Sequence, residues 1–153
     1  MGRARVQLRR SGSSYLIRLD RGEQALRILR EFANHHRLGF AVVRAIGTFE
    51  RATLGYHGVA DKTYQEKVFE EPLELLNLSG NIARGEDGST IVHAHVTVSR
   101  ADYTTLGGHL VEATVGPTLE VVVKAMPISV HRRHDSETAL RLLELQSVET
   151  VSI

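Results

Sequence analysis

Residues 91–117 read IVHAHVTVSRADYTTLGGHLVEATVGP, and how this stretch divides into extended runs and loops decides what the chain can build. Over 91–99 the apolar residues alternate with period two. An extended backbone therefore puts His93, His95 and Thr97 on one face and Val92, Ala94, Val96 and Val98 on the other. The second face suits a core, and the first carries an imidazole pair. Side chains two apart on a strand start roughly 6 to 7 Å apart, a gap that two imidazoles close by turning toward one ion. Residues 100–105 are polar and loop-like. The paired glycines Gly107 and Gly108 then permit positive φ or close backbone approach, which brings in His109 as a third imidazole. Three roles stay open for these histidines: metal ligands, proton carriers, or members of a polar core. Val115-Gly116-Pro117 reads as a turn.

On the C-terminal side, residues 119–125 (LEVVVKA) form an apolar, β-branched strand. The basic cluster His131-Arg132-Arg133-His134 follows, and then 139–145 (ALRLLEL), which suits either a short helix or a strand. On the N-terminal side, 84–88 is a turn by composition, and 73–82 (LELLNLSGNI) is strand-like. There Leu73, Leu75 and Asn77 share one face, and Glu74, Leu76 and Leu78 the other. Residues 51–56 and 62–70 form a hairpin around His57-Gly58.

Earlier still, strands at 15–20 and 40–49 bracket the one convincing helix, over 22–36. Asp20 is its expected cap, Glu23 sits in its positive first turn, and Leu26, Leu29, Phe32 and Ala33 make its buried stripe. Gly39 is the stop signal, and the dipole favours His35 and His36 as imidazolium at the C-terminal end. Strand, helix and strand make a βαβ unit whose crossover sets the two strands parallel.

A chain of 153 residues, 42% hydrophobic and 24% charged, fits a single domain. The boundaries expected are a basic flexible arm at 1–14, the domain at 15–145 and a tail at 146–153. No apolar run reaches the ~18 residues of a membrane span and no cleavable leader is present, so a soluble, cytoplasmic protein without a membrane partner is expected. With no cysteine, any metal site must be built from His and carboxylate. The net charge of +1 gives no overall field for nucleic acid. Arg3, Arg5, Arg9 and Arg10 nevertheless gather ahead of the first acid, Asp20, and are candidate phosphate contacts of the salt-dependent kind. Neither G-x-G-x-x-G nor G-x-x-x-x-G-K occurs, which argues against nucleotide binding of those kinds. Ser79, His57 and Asp61 lack any spacing that supports a catalytic triad, and Glu112, near His109, would point away from it on a strand.

Several segments, taken in order, resemble the plants-and-prokaryotes-conserved domain family, whose land-plant members are fused to AT-hook DNA-binding segments. The matching residues are Leu19-Asp20-Arg21-Gly22-Glu23, the LLNLSGNI run from Leu75 to Ile82, Val92-His93-Ala94-His95-Val96, and Gly107-Gly108-His109-Leu110 with Val115-Gly116-Pro117-Thr118 behind. The resemblance implies an α+β fold, a curved and mostly antiparallel sheet with one main helix packed on it, assembled as a homotrimer. It also implies a divalent metal, zinc first, at His93, His95 and His109, and a DNA-binding or regulatory role. Two family features are missing. Gly2-Arg3-Ala4-Arg5 lacks the Arg-Gly-Arg-Pro centre of an AT-hook, and Glu71-Pro72-Leu73-Glu74-Leu75-Leu76 stands where plant members carry Gly-Arg-Phe-Glu-Ile-Leu. Three functions follow as alternatives: a DNA-associated binding module, a metal-dependent enzyme for a small molecule, or a scaffold stabilised by its metal. No reaction is assigned.

Overall fold

The computed structural model describes residues 6–58 and 63–145. In chain order these form β1 (Gln7–Ser11), β2 (Ser14–Asp20), α1 (Ala25–His35), β3 (Phe40–Gly58), β4 (Thr63–Phe69), β5 (Leu73–Gly85), β6 (Thr90–Ser99), β7 (Thr105–Met126), β8 (His131–His134) and β9 (Arg141–Glu144). The nine strands make one sheet, ordered β1-β2-β7-β3-β5-β8-β9, with β4 paired to β3 and β6 paired to both β5 and β7. All pairs of named strands are antiparallel except β5 with β8. Among the described residues the sheet is thus mostly antiparallel with a single helix against it, as the resemblance implies. No helix among the described residues is long and apolar enough to cross a membrane.

The longest strands explain its curvature. Laid straight, the 22 residues of β7 would span roughly 70 Å, far more than a domain of this size can hold. They bend at irregularities instead: the β3–β7 register shifts between Gly47 and Phe49, between Phe49 and Arg51, and between Thr53 and Leu54. β3 pairs with β5, β5 with β6, β6 with β7 and β7 with β3, so four strands form a closed circuit. Helix α1 buries Leu26, Leu29, Phe32 and Ala33, the expected stripe, together with Ala25 and Ile28. They join Ile17, Leu19, Val43, Val121 and Val123 in the core.

Several expectations are corrected. Gln7–Ser11 is a strand paired with β2, not part of a flexible arm; residues 1–5 and the tail at 146–153 lie outside the described residues. The helix starts at Ala25 rather than residue 22, because Gly22 takes φ +85°, and Asp20 does not cap it. Glu112 Oε1 on β7 accepts from the Leu26 N–H at 3.1 Å instead. The helix ends at His35, and just beyond its cap Arg37 adopts φ 53° while the Leu38 N–H donates to Ala33 O and the Arg37 N–H to Asn34 O; Gly39 is not the left-handed residue. His36 packs on Tyr15 and Phe32, and burial, then His35 and Arg10, lower its pKa; this opposes the imidazolium reading. The βαβ unit is correct in sense, since β2 and β3 are both antiparallel to β7 and so parallel to each other, with β7 inserted between them.

Val115-Gly116-Pro117 is not a turn but the middle of β7. Pro117 sits where the β3 ladder skips from Val115 opposite Phe49 to Leu119 opposite Gly47, so its missing N–H costs no pairing there. In β5 a bulge between Leu75 and Asn77 resets the phase: Leu73, Leu75 and Leu78 are buried while Leu76 and Asn77 are exposed. The run 139–145 resolves as the strand β9.

Candidate metal centre

The candidate centre lies at the seam where β6 meets β7. His95 and His109 are direct cross-strand partners, which starts their side chains about 5 Å apart, and His93 lies two residues along the same face of β6. The opposite face of β6, Val92, Ala94, Val96 and Val98, is buried in the core and fixes which way the histidines turn. Ring centroids are 5.1 Å apart for His93 and His95, 5.1 Å for His93 and His109, and 5.5 Å for His95 and His109. One ring nitrogen from each lies within 4.8 Å of the others. The glycines contribute by close approach rather than positive φ. A Cβ on Gly107 would stand 2.6 Å from Val96 O, and one on Gly108 2.9 Å from Gly55 O, so only glycine lets β7 settle here.

The surroundings favour the neutral form of His93 and His109. Burial, then the Arg132 guanidinium, then His109 and His95 hold the His93 pKa at about 4. Burial, His95 and Arg132 also lower that of His109. Neutral imidazole is the form that ligates a metal, and zinc–nitrogen bonds of about 2.0 to 2.1 Å need ring nitrogens somewhat closer than these, within reach of small ring rotations. The donor set thus fits a divalent ion with an affinity for nitrogen. The three rings line a cavity of about 740 Å³ together with Tyr56, His57, Tyr64, Arg132, Leu140 and Leu142. Tyr64 stands edge-on to His109 at 6.3 Å, and its pKa is raised by burial and then by Glu66.

Arg132 is the site residue that sequence reading missed. The parallel pairing of β8 with β5 sets Arg132 opposite Gly85. Its Nη2 donates to Asn81 Oδ1 at 3.0 Å and to His93 Nδ1 at 2.9 Å, and its Nη1 donates to Arg141 O at 2.8 Å. Asn81 is itself the register partner of His93. The only signal was alternation within His131-Arg132-Arg133-His134, which turns Arg132 inward and leaves Arg133 and His134 exposed.

Other candidates do not gather here. Glu112 caps α1, its Oε2 also standing 4.0 Å from Arg30. His57 lines the cavity, Ser79 is exposed on β5, and Asp61 lies outside the described residues. Arg9 and Arg10 are exposed on β1, with Arg10 over the Tyr15 ring, while Arg3 and Arg5 lie outside the described residues.

A family model, the Plants and Prokaryotes Conserved (PCC) domain, matches residues 7–127. Among curated proteins the chain is 34% identical over 133 residues to the bifunctional protein GlmU of a Synechococcus species, covering 86% of this chain but only 20% of that relative. The chain thus spans about a fifth of the length of the curated relatives it matches. Among solved structures, a protein from Bacteroides thetaiotaomicron provisionally described as DNA-binding superposes with a TM-score of 0.88 at 25% identity, covering 93% of this chain and 99% of that one. A protein from Archaeoglobus fulgidus described as metal-containing superposes with a TM-score of 0.80 at 31% identity, covering 95% of this chain and all of that one.

Proposed function

Since the chain belongs to the plants and prokaryotes conserved domain family, we propose that it is a metal-binding member that holds one divalent ion, zinc, between His93, His95 and His109 and works as a homotrimer. The observation that carries this reading is the convergence of three imidazole nitrogens, with no thiolate available and no carboxylate among them. Imidazole donors suit zinc, and three of them leave a position open to water or ligand. The metal-containing relative, similar over nearly the whole chain, supports the same reading. Bound there, zinc would act as a Lewis acid that also lowers the pKa of a bound water. The chain's own groups set the rest: Val92 and Val96 anchor the histidine face, Gly107 and Gly108 bring His109 in, and the adjoining cavity admits a small molecule. That cavity favours, as a second reading, a metal-dependent enzyme over a metal used only to stabilise the fold.

Self-association is supported by the face of the sheet away from α1. It exposes Leu16 (53%), Ile46 (57%) and Val122 (47%), and Leu16 and Val122 are cross-strand partners. A DNA-associated role rests on the provisional description of the Bacteroides relative and on Arg9 and Arg10, exposed on β1. A gel shift that weakens steeply with salt and disappears on neutralising Arg3, Arg5, Arg9 and Arg10 supports it; no shift at low salt ends it. The zinc reading is tested by a His93→Ala, His95→Ala double variant. It is expected to lose its metal and keep its circular dichroism spectrum, and metal retained at the wild-type ratio would refute the assignment.

A further inference from the structure

Arg132 is a buried cation without a counter-ion among the described residues. It is 6% exposed, and among the described residues its guanidinium is bonded only to Asn81 Oδ1, Arg141 O and His93 Nδ1 and its Nε has no partner. Removing a guanidinium from water without an opposite charge is costly unless something else meets it. Among the described residues that line the 740 Å³ cavity there is no carboxylate, while Arg141 adds a second cation. Glu86 and Asp87 share a smaller cavity with Arg132 but are engaged elsewhere, Glu86 with Arg133 at 3.1 Å and Asp87 with the Ser89 N–H at 3.0 Å. His57 Nδ1, in the larger cavity, is also buried without a partner among the described residues. Ile91, Leu140 and Leu142 supply apolar wall to the same space.

We propose that this cavity binds a small organic carboxylate with an apolar body, its carboxylate held by Arg132 beside the three histidines. The planar guanidinium fork matches a carboxylate, and the aliphatic wall matches the remainder of such a ligand. The inference rests on the metal reading above and adds a link to it. Arginine only donates, so His93 Nδ1 accepts from Nη2, and the neutral ring carries its proton on Nε2. Zinc would be held by ring nitrogens of His93, His95 and His109, and Arg132, which here donates to His93 Nδ1, would offer its guanidinium N–H groups to the carboxylate beside them.

The test is calorimetric titration of hexanoate, 1-hexanol and inorganic phosphate into the full chain, with zinc per chain measured first on the same preparation. Hexanoate is expected to bind at least about tenfold tighter than hexanol, the scale of a charge-assisted hydrogen bond. Arg132→Met is expected to abolish that preference, and Arg132→Lys, which keeps the charge and loses the fork, to retain part of it. If Arg132→Met does not fold, the wild-type ratio of hexanoate to hexanol decides alone. One zinc per chain with hexanol equal to or tighter than hexanoate overturns the carboxylate site and leaves the metal centre standing. Phosphate tighter than hexanoate overturns the carboxylate class. A chain that takes up no zinc overturns the proposed function, and this inference with it.

Discussion

His93 is the residue where the electrostatics of the centre concentrate. Its pKa of about 4 lies below the ordinary 6.5, with burial as the first cause and Arg132 as the second. For the metal-stripped protein the sign follows from proton linkage. Above about pH 6.5 the ring is neutral folded and unfolded, and stability is intact. Between pH 6.5 and about 4 the unfolded chain binds the proton and the folded chain does not, so stability falls as the solution is acidified. Urea midpoints measured across this window should therefore drop more steeply for the wild type than for His93→Gln, which cannot titrate. Parallel curves would show that His93 is not held neutral.

At the scale of elements, the cap on α1 comes from another part of the chain. Glu112 on β7 accepts from the Leu26 N–H and from its own neighbour, the Ala113 N–H, at 3.0 Å. Glu112→Ala is expected to cost about 1 kcal/mol, typical of a lost helix cap, seen as a fall in Tm of a few degrees. Metal content should stay at the wild-type level, because the helix end is not part of the histidine seam. A variant that loses metal with unchanged Tm would place Glu112 in the centre instead.

The same residue shows what could be read from sequence. The histidine face, the helix stripe and the β3–β4 hairpin were legible because local alternation or helical spacing dictates them. The cap was not, since Glu112 lies 86 positions from Leu26 and reaches it only because β7 returns beside the helix start, where Gln24 bridges Thr114. Arg132 escaped for the same reason: a short parallel pairing of β8 with β5 brings it to His93, 39 positions away, and no local pattern encodes that. The bulge at Leu75/Asn77 and the continuity of β7 through Pro117 were hidden by partner strands that absorb one irregularity with another.

On the scale of the whole molecule, the closed circuit of β3, β5, β6 and β7 holds three imidazoles on one side, while the sheet beside it leaves Leu16, Ile46 and Val122 facing solvent. If copies of the chain cover that face, a Leu16→Glu, Val122→Glu double variant should fall from three times the 17.0 kDa chain mass to one, with its secondary structure unchanged. A wild type that is already monomeric, or a variant that stays assembled, would exclude this surface as the interface. The central claim is the metal centre of His93, His95 and His109, and it is tested most directly by elemental analysis of the purified native protein against chain concentration. The prediction is one zinc per chain, lost in the His93→Ala, His95→Ala variant while the fold persists; a metal-free protein that takes up no zinc when supplied with it would contradict the account.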